Sequence, residues 1–223
     1  MPGQEEQGFF ADLDPDQRRA FQTASHSRRF PRGTTLFNEG ESSDKVVVVV
    51  SGRVKISFFT NDGREIVLGV RGPGEILGEL SALDGEPRSA TATALEDVDS
   101  LIVTTDAFRA FIETHPKVAL RLLETISRRL RDADDKRIEF GALDTVGRVA
   151  KRLIELASRF GEETGEGLRI SVALSQQDLA GWTGASREAV SKAMQTLRTR
   201  GWIETHRRGV TILDLDSLRR RAG

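Results

Sequence analysis

The 223-residue chain contains no cysteine, which excludes disulfides, thiolate metal sites and cysteine-held iron–sulfur clusters. Histidine is nearly as scarce: the three present, His26, His115 and His206, lie far apart. Hydrolysis would call for a metal cluster or an activated base, and three scattered histidines supply neither. An enzyme is therefore not expected. No run of 18 apolar residues occurs, so no membrane-spanning helix is expected either. The opening Met1-Pro2-Gly3-Gln4-Glu5-Glu6 is polar and acidic, where a secretory leader is basic and then apolar. The expectation is a cytoplasmic protein. Net charge is also almost missing, at −1, but that sum hides an asymmetry: residues 144–223 hold 14 Lys+Arg against 10 Asp+Glu, while residues 1–143 hold 19 against 24. A basic C-terminal part is the electrostatic footprint that binding to nucleic acid requires.

With 38% hydrophobic residues the chain can build real cores, and its length fits two domains. A short helix is expected from Asp14-Pro15-Asp16, an N-cap followed by proline at the first helical position, to about Ser25. From Arg29 to Val103 the texture changes to short β-rich runs, at 45–50, 54–59, 66–70 and 100–103. Glycine-bearing turns separate them, at Gly40, Gly52, Gly63, Gly72-Pro73-Gly74 and Gly85. Strands at this spacing predict a barrel or jelly roll. A short helical piece then runs from Asp106 to about Thr114, followed by a long helix from about Pro116 to Phe140. Along it Leu123, Ile126, Leu130, Ala133, Arg137 and Phe140 alternate at three and four residues, the spacing of a coiled-coil seam. A parallel homodimer follows if the stripe meets a second copy; the alternative is that it packs on its own barrel, a task for which Val118, Ala119 and Leu122 already offer another face. Gly141 to Asp144 reads as a hinge, residues 145–160 as an amphipathic helix, and Gly161 to Gly167 as a polar loop.

Residues 175–202 carry a helix-turn-helix pattern. Ser175 is an N-cap candidate for a first short helix containing Gln176 and Gln177, and Leu179 and Ala180 give that helix an apolar face. Gly184 permits the turn. Ser186 caps the second helix, so Arg187 and Glu188 fall in its first turn, where recognition side chains reach base edges in the major groove. Lys192 follows about one turn later. Arg donates two bonds to guanine, Glu accepts from cytosine and Lys can serve a second guanine. Val190, Ala193, Met194 and Leu197 form the opposite, core-facing side. Arg198, Arg200, Arg207 and Arg208 cluster behind this helix, and the alternation Val210, Ile212 reads as a two-stranded wing. On this segment alone an ordinary helical hairpin with a solvated charged face stays open.

Barrel, long helix, hinge and winged helix-turn-helix, in that order, resemble the CRP/FNR family of bacterial transcription regulators over nearly the whole chain. Gly78-Glu79-Leu80-Ser81-Ala82-Leu83, followed by Pro87-Arg88-Ser89-Ala90-Thr91-Ala92, is similar to the family's phosphate-binding cassette. Gly33, Gly40 and Gly52 sit where the family turns its β-roll. Ser127-Arg128-Arg129-Leu130 and Leu143 to Ala150 resemble the long helix and hinge of the cyclic-AMP-responsive branch. The resemblance implies an α+β architecture in three parts: a β-roll cyclic-nucleotide-binding domain over 1–115, a long dimerisation helix and hinge over 116–143, and a winged helix-turn-helix over 144–223.

It further implies a cyclic nucleotide, cyclic AMP first, as effector, with double-stranded DNA, RNA polymerase and a second copy of the chain as partners. Arg88 would clamp the cyclic phosphate at two points with help from Ser89, glycine at 78 would let the backbone approach the ligand, and Glu79, beside Leu80, would accept from the ribose 2′-OH. Taken alone, a Glu and an Arg at this spacing are more often a structural ion pair. The chain departs from the branch at Ala133 and Asp134, where a Thr and an adjacent Ser or Asn would contact adenine. Alanine cannot make that bond; Asp134 can accept from adenine N6 or from guanine N1 and N2. Arg129, which matches a ligand-side arginine, can pair with Asp134 or its subunit-mate instead of serving a ligand, which keeps cyclic GMP, another nucleotide or no ligand open. Gln176 stands where the branch has an Arg that touches phosphate. Arg187, Glu188 and Lys192 match the branch that reads a TGTGA-N6-TCACA palindrome, with half-sites about one helical turn apart. A heme-based sensor of the same fold is suggested only by Pro2, since no histidine lies between Gly52 and Val103 to serve as the other axial ligand.

Overall fold

The computed structural model describes residues 8–172, 174–206 and 209–223. Arg207 and Arg208, expected near DNA, and Pro2 lie outside these. Two compact units emerge, one formed by the chain up to Phe58 with Leu68–Asp132, the other by Phe59–Val67 with Ala133–Gly223.

In the first unit, α1 (Pro15–Ala24) starts as the sequence predicts: the Asp14 side chain accepts from the Gln17 amide while the Gln17 side chain accepts from the Asp14 amide, a reciprocal capping box. Eight short strands follow, β1 (His26–Phe30), β2 (Thr35–Phe37), β3 (Lys45–Ser51), β4 (Val54–Phe59), β5 (Glu65–Arg71), β6 (Ile76–Leu77), β7 (Thr91–Ala94) and β8 (Val98–Thr104), with the short helix α2 (Glu79–Asp84) between β6 and β7. They form two four-stranded sheets with orders β1-β8-β3-β6 and β2-β7-β4-β5. The unbroken valines of β3 make sense because its sheet is covered on both sides. Val47 and Val49 pack with Leu36, Val54 and Ala92 of the second sheet, whereas Val46 and Val48 face Phe21, Phe108, Phe111, Val118 and Leu122. Those last residues come from α1, from α3 (Thr105–Thr114) and from the first turns of α4 (Pro116–Ala142). Phe21 stands edge-on to both Phe9 and Phe111, the arrangement the ring quadrupoles favour.

In the second unit α5 (Thr145–Phe160) is the central helix. Asp144 caps it by accepting from the Gly147 amide. Val149, Ala150, Leu153, Leu156, Ala157 and Phe160 are buried at three- and four-residue spacing, a single stripe facing the core. Around it lie α6 (Gln176–Thr183), α7 (Arg187–Thr199), α8 (Leu215–Ala222) and a sheet of β9 (Gly161–Thr164), β10 (Gly167–Ile170), β11 (Ile203–His206) and β12 (Gly209–Ile212) in the order β11-β12-β10-β9. The expected polar loop over 161–167 is thus a correction: it is the first strand and turn of a hairpin, held because β10 also pairs with β12. The hinge is shorter than expected too. Helix α4 continues through Gly141 to Ala142, and the Leu143 amide still donates to the Glu139 carbonyl at 2.9 Å.

Candidate ligand cavity and nucleic-acid interface

The first unit contains an open cleft, with about 630 Å³ of atom-free space when the solvent at its mouth is included. The cassette forms one side of it through Gly78, Glu79, Leu80, Ser81, Arg88, Ser89 and Ala90; Ile56, Leu68 and Arg71 line it from β4 and β5, and Arg129 from α4. The cassette folds around a backbone requirement. Gly78 has φ +77° and caps α2 without a side chain, and a Cβ there would run into the Arg88 guanidinium. Only glycine meets both conditions without strain.

Arg88 is 3% exposed. It donates to the Gly78 carbonyl at 3.0 Å and to the Lys45 carbonyl at 2.5 Å, stacks on the Phe37 ring at 4.5 Å, and has Asp44 at 3.6 Å. Its Nε has no partner. Burial pushes the guanidinium below its ordinary pKa, only partly offset by the nearby carboxylates of Asp44, Glu41 and Glu79. A buried cation with an unfilled donor is where a bound anion gains most. Glu79 is likewise buried, and Arg129 holds it, donating to its carboxylate at 2.5 Å and to the Ile76 carbonyl at 2.7 Å. Within the chain Arg129 therefore pairs with Glu79. Asp134 faces Arg137 at 3.7 Å on its own helix; it and Ala133 belong to the second unit and are not among the lining residues.

Phe37, Ile56, Leu68 and Arg71 are cavity residues that sequence reasoning missed, because nothing local marks the strand positions that face a cleft. Arg71 pairs with Glu75 at 3.5 Å and lies across Gly69, whose missing side chain leaves it room.

Along α4 the predicted seam divides. Leu123 and Leu130 are 58% and 62% exposed, and Leu120, which the sequence reading omitted, joins them at 62%. Arg137 is exposed as well. Ile126 packs against the core below α3. Phe140 is half-exposed and lies beneath the Arg148 guanidinium at 5.5 Å.

In the second unit Ser175 caps α6 in a box with Asp178, and Ser186 caps α7 by accepting from the Ala189 amide. Gly184 joins the two helices at φ +59°. Val190, Ala193, Met194 and Leu197 are all buried, as their spacing predicted, which leaves Arg187, Glu188 and Lys192 exposed together with Gln176 and Gln177. The Glu188 carboxylate accepts from its own amide and from the Ser186 hydroxyl, which holds its pKa below the usual range. It is an ionised acceptor on an exposed face that also carries cations. Arg200 stacks on Trp202 at 4.9 Å, and His206 bonds Thr211 at 2.9 Å.

Among the described residues no three or more of His, Asp and Glu gather as metal ligands, and no helix is long and apolar enough to cross a membrane.

A family model described as a cyclic nucleotide-binding domain matches residues 27–115, and one described as a Crp-like helix-turn-helix domain matches residues 147–221. The CRP-like cAMP-activated global transcriptional regulator of Mycobacterium tuberculosis is 39% identical over 215 residues, 96% of either chain. The cyclic AMP receptor protein of Thermus thermophilus is 32% identical over 193 residues, 86% of either chain. Among solved structures, the c-di-GMP responsive global regulator CLP of Xanthomonas campestris superposes with a TM-score of 0.77 at 25% identity, over 89% of this chain and 99% of that one.

Proposed function

The chain belongs to the CRP/FNR family of transcription regulators, which are not enzymes, and we propose that it is a homodimer that reads a TGTGA-N6-TCACA palindrome under control of cyclic AMP. It is a DNA-binding regulator with a cyclic nucleotide-binding domain. The observation that carries the ligand is Arg88, buried, charged and with Nε unpartnered at the mouth of the cassette. A cyclic phosphate would take bonds from that guanidinium and from Ser89, while Glu79 would accept from the ribose 2′-OH at the cost of its pairing with Arg129. The activator name of the Mycobacterium relative favours cyclic AMP over other nucleotides.

Leu120, Leu123 and Leu130 form an exposed apolar stripe on α4, which supports pairing with a second copy along this helix; unpaired, each leaves about 1–2 kcal/mol of burial unused. Arg187, Glu188 and Lys192 support the palindrome because guanidinium, carboxylate and ammonium side by side match guanine, cytosine and guanine edges. Exposed arginines behind α7 would position the domain on phosphate without adding sequence information. RNA polymerase, bound at the same promoter, is the further partner that this reading implies.

Calorimetric titration of the purified protein with cyclic AMP and with cyclic GMP tests the reading. Saturable binding of cyclic AMP in preference to cyclic GMP supports it. Preference for cyclic GMP moves the effector, and silence with both contradicts nucleotide control and leaves DNA binding to stand alone.

A further inference from the structure

The last two turns of α4 belong to the same compact unit as the helix-turn-helix, and what they touch there is unusual. Glu139 is buried and accepts a hydrogen bond from Arg152 of α5, itself buried. Lys151 approaches the same carboxylate at 3.4 Å, and Arg152 donates to Glu155 at 2.8 Å. The Arg152 guanidinium also sits 5.7 Å from the centre of the Trp182 ring on α6, and the Lys136 ammonium of α4 is 5.7 Å from that centre. Trp182 is buried and its indole N–H has no partner. Two cations at its ring thus hold it in place of a hydrogen bond.

A few residues on, the turn of the helix-turn-helix is gripped a second time. Arg148 donates to the Thr183 carbonyl at 2.8 Å and to the Leu143 carbonyl at 2.6 Å, and a Cβ on Gly184 would come within 2.5 Å of the Phe140 ring. Both grips join the end of the long helix to the turn from which α7 departs.

A buried ion pair is poor evidence for stability, since well-packed apolar residues often do as well; its attested use is to fix one geometry among several. We infer that Glu139, Arg152 and Phe140 are positioning residues for DNA reading: they fix the angle at which α7 leaves the long helix, and hence the half-site separation that a pair of these chains accepts. The inference rests on the palindromic reading above.

The test compares Glu139→Gln, Arg152→Met and the double variant with the parent chain, all in a Trp202→Phe background that leaves Trp182 as the remaining tryptophan. Duplexes carry the palindrome with spacers of five, six or seven base pairs. Anisotropy reads binding, circular dichroism reads folding, and Trp182 emission reports on the ring's surroundings. The expected result is a shifted emission and a loss of about three- to thirtyfold on the preferred duplex. The preference among spacers flattens, and the double variant is no weaker than Arg152→Met alone. Phe140→Ala, at a half-exposed position, flattens the preference in the same way and decides the matter should Arg152→Met fail to fold. Folded variants that keep the parent's spacer preference overturn the inference, whatever their affinity. A parent chain that binds none of the three duplexes contradicts the palindrome instead, and the comparison then moves to the duplex recovered by selection from random sequence, where a geometry-independent loss would overturn the inference.

Discussion

Replacing Arg88 by methionine separates a ligand-binding guanidinium from a structural one. The wild-type side chain satisfies the Gly78 and Lys45 carbonyls and leaves Nε unpartnered. Methionine is apolar, unbranched and able to fill an irregular gap, so the space over Phe37 stays occupied. Two buried carbonyls lose donors, at about 1–3 kcal/mol each, but a desolvated cation is also removed, which offsets much of that cost. The unliganded fold should therefore lose no more than about 2 kcal/mol. The ligand has no such compensation. Two charge-assisted bonds to phosphate are worth about 1.5–3 kcal/mol each, so binding should weaken by about 10²- to 10⁴-fold. Calorimetry measures that loss directly. Thermal unfolding gives the second readout, because a ligand at a hundred times its Kd stabilises the wild type by about 2.7 kcal/mol, and this shift should vanish in the variant. Equal nucleotide affinity in a folded Arg88→Met protein would refute the reasoning and return Arg88 to a purely structural role.

Gly78→Ala should act on the same site from the backbone side: at φ +77° the added Cβ meets the Arg88 guanidinium, so nucleotide binding and about 1–2 kcal/mol of stability should both fall, as read by calorimetry and denaturant titration. Arg187→Ala should cost about 1–3 kcal/mol at its guanine and relax preference there; unchanged discrimination between the palindrome and a scrambled duplex would sink the assignment. Leu130→Lys, at an exposed position on the α4 stripe, should shift the protein toward monomer in light scattering. Arg221, and then the Gly147 amide, hold the Asp144 carboxylate below its usual pKa. Its contribution is therefore present above the unfolded value of about 3.9 and lost as pH falls through the lower folded value. Because Asp144 is largely solvent-exposed, that contribution is small, and Asp144→Asn should flatten the acid limb of the thermal-unfolding profile below about pH 4.

Much of this architecture is legible in the sequence because its signals are local. Asp14, Ser175 and Ser186 announce three helix starts through side-chain bonds to amides three residues ahead, and glycine-bearing turns space the strands of the roll. What escaped depends on partners distant in sequence. Strand β9 reads as a polar loop because Glu162 and Glu163 are exposed; it exists because β10 pairs with both β9 and β12. Helix α8, unpredicted, hides among three consecutive arginines and is secured by buried Leu218 and Ala222. The hinge was placed too early since Gly141 breaks the pattern locally, while Glu139 and Phe140, just before the expected stop, anchor the helix through partners distant in sequence. In the cavity, the cassette residues come together as their motif implied, but the Glu79–Arg129 pair joins residues 50 apart and no spacing rule could reveal it.

The central claim is nucleotide control of DNA reading, and the affinity of the purified protein for a labelled TGTGA-N6-TCACA duplex, measured by anisotropy with and without saturating cyclic AMP, tests it most directly. Control requires the ligand to favour one state over the other, and a full reversal from 1:99 to 99:1 needs a difference of about 10⁴-fold between them. A cyclic-AMP-dependent gain in affinity that Arg88→Met abolishes is the predicted result. The same affinity with and without cyclic AMP, in a protein that demonstrably binds the nucleotide, would contradict it.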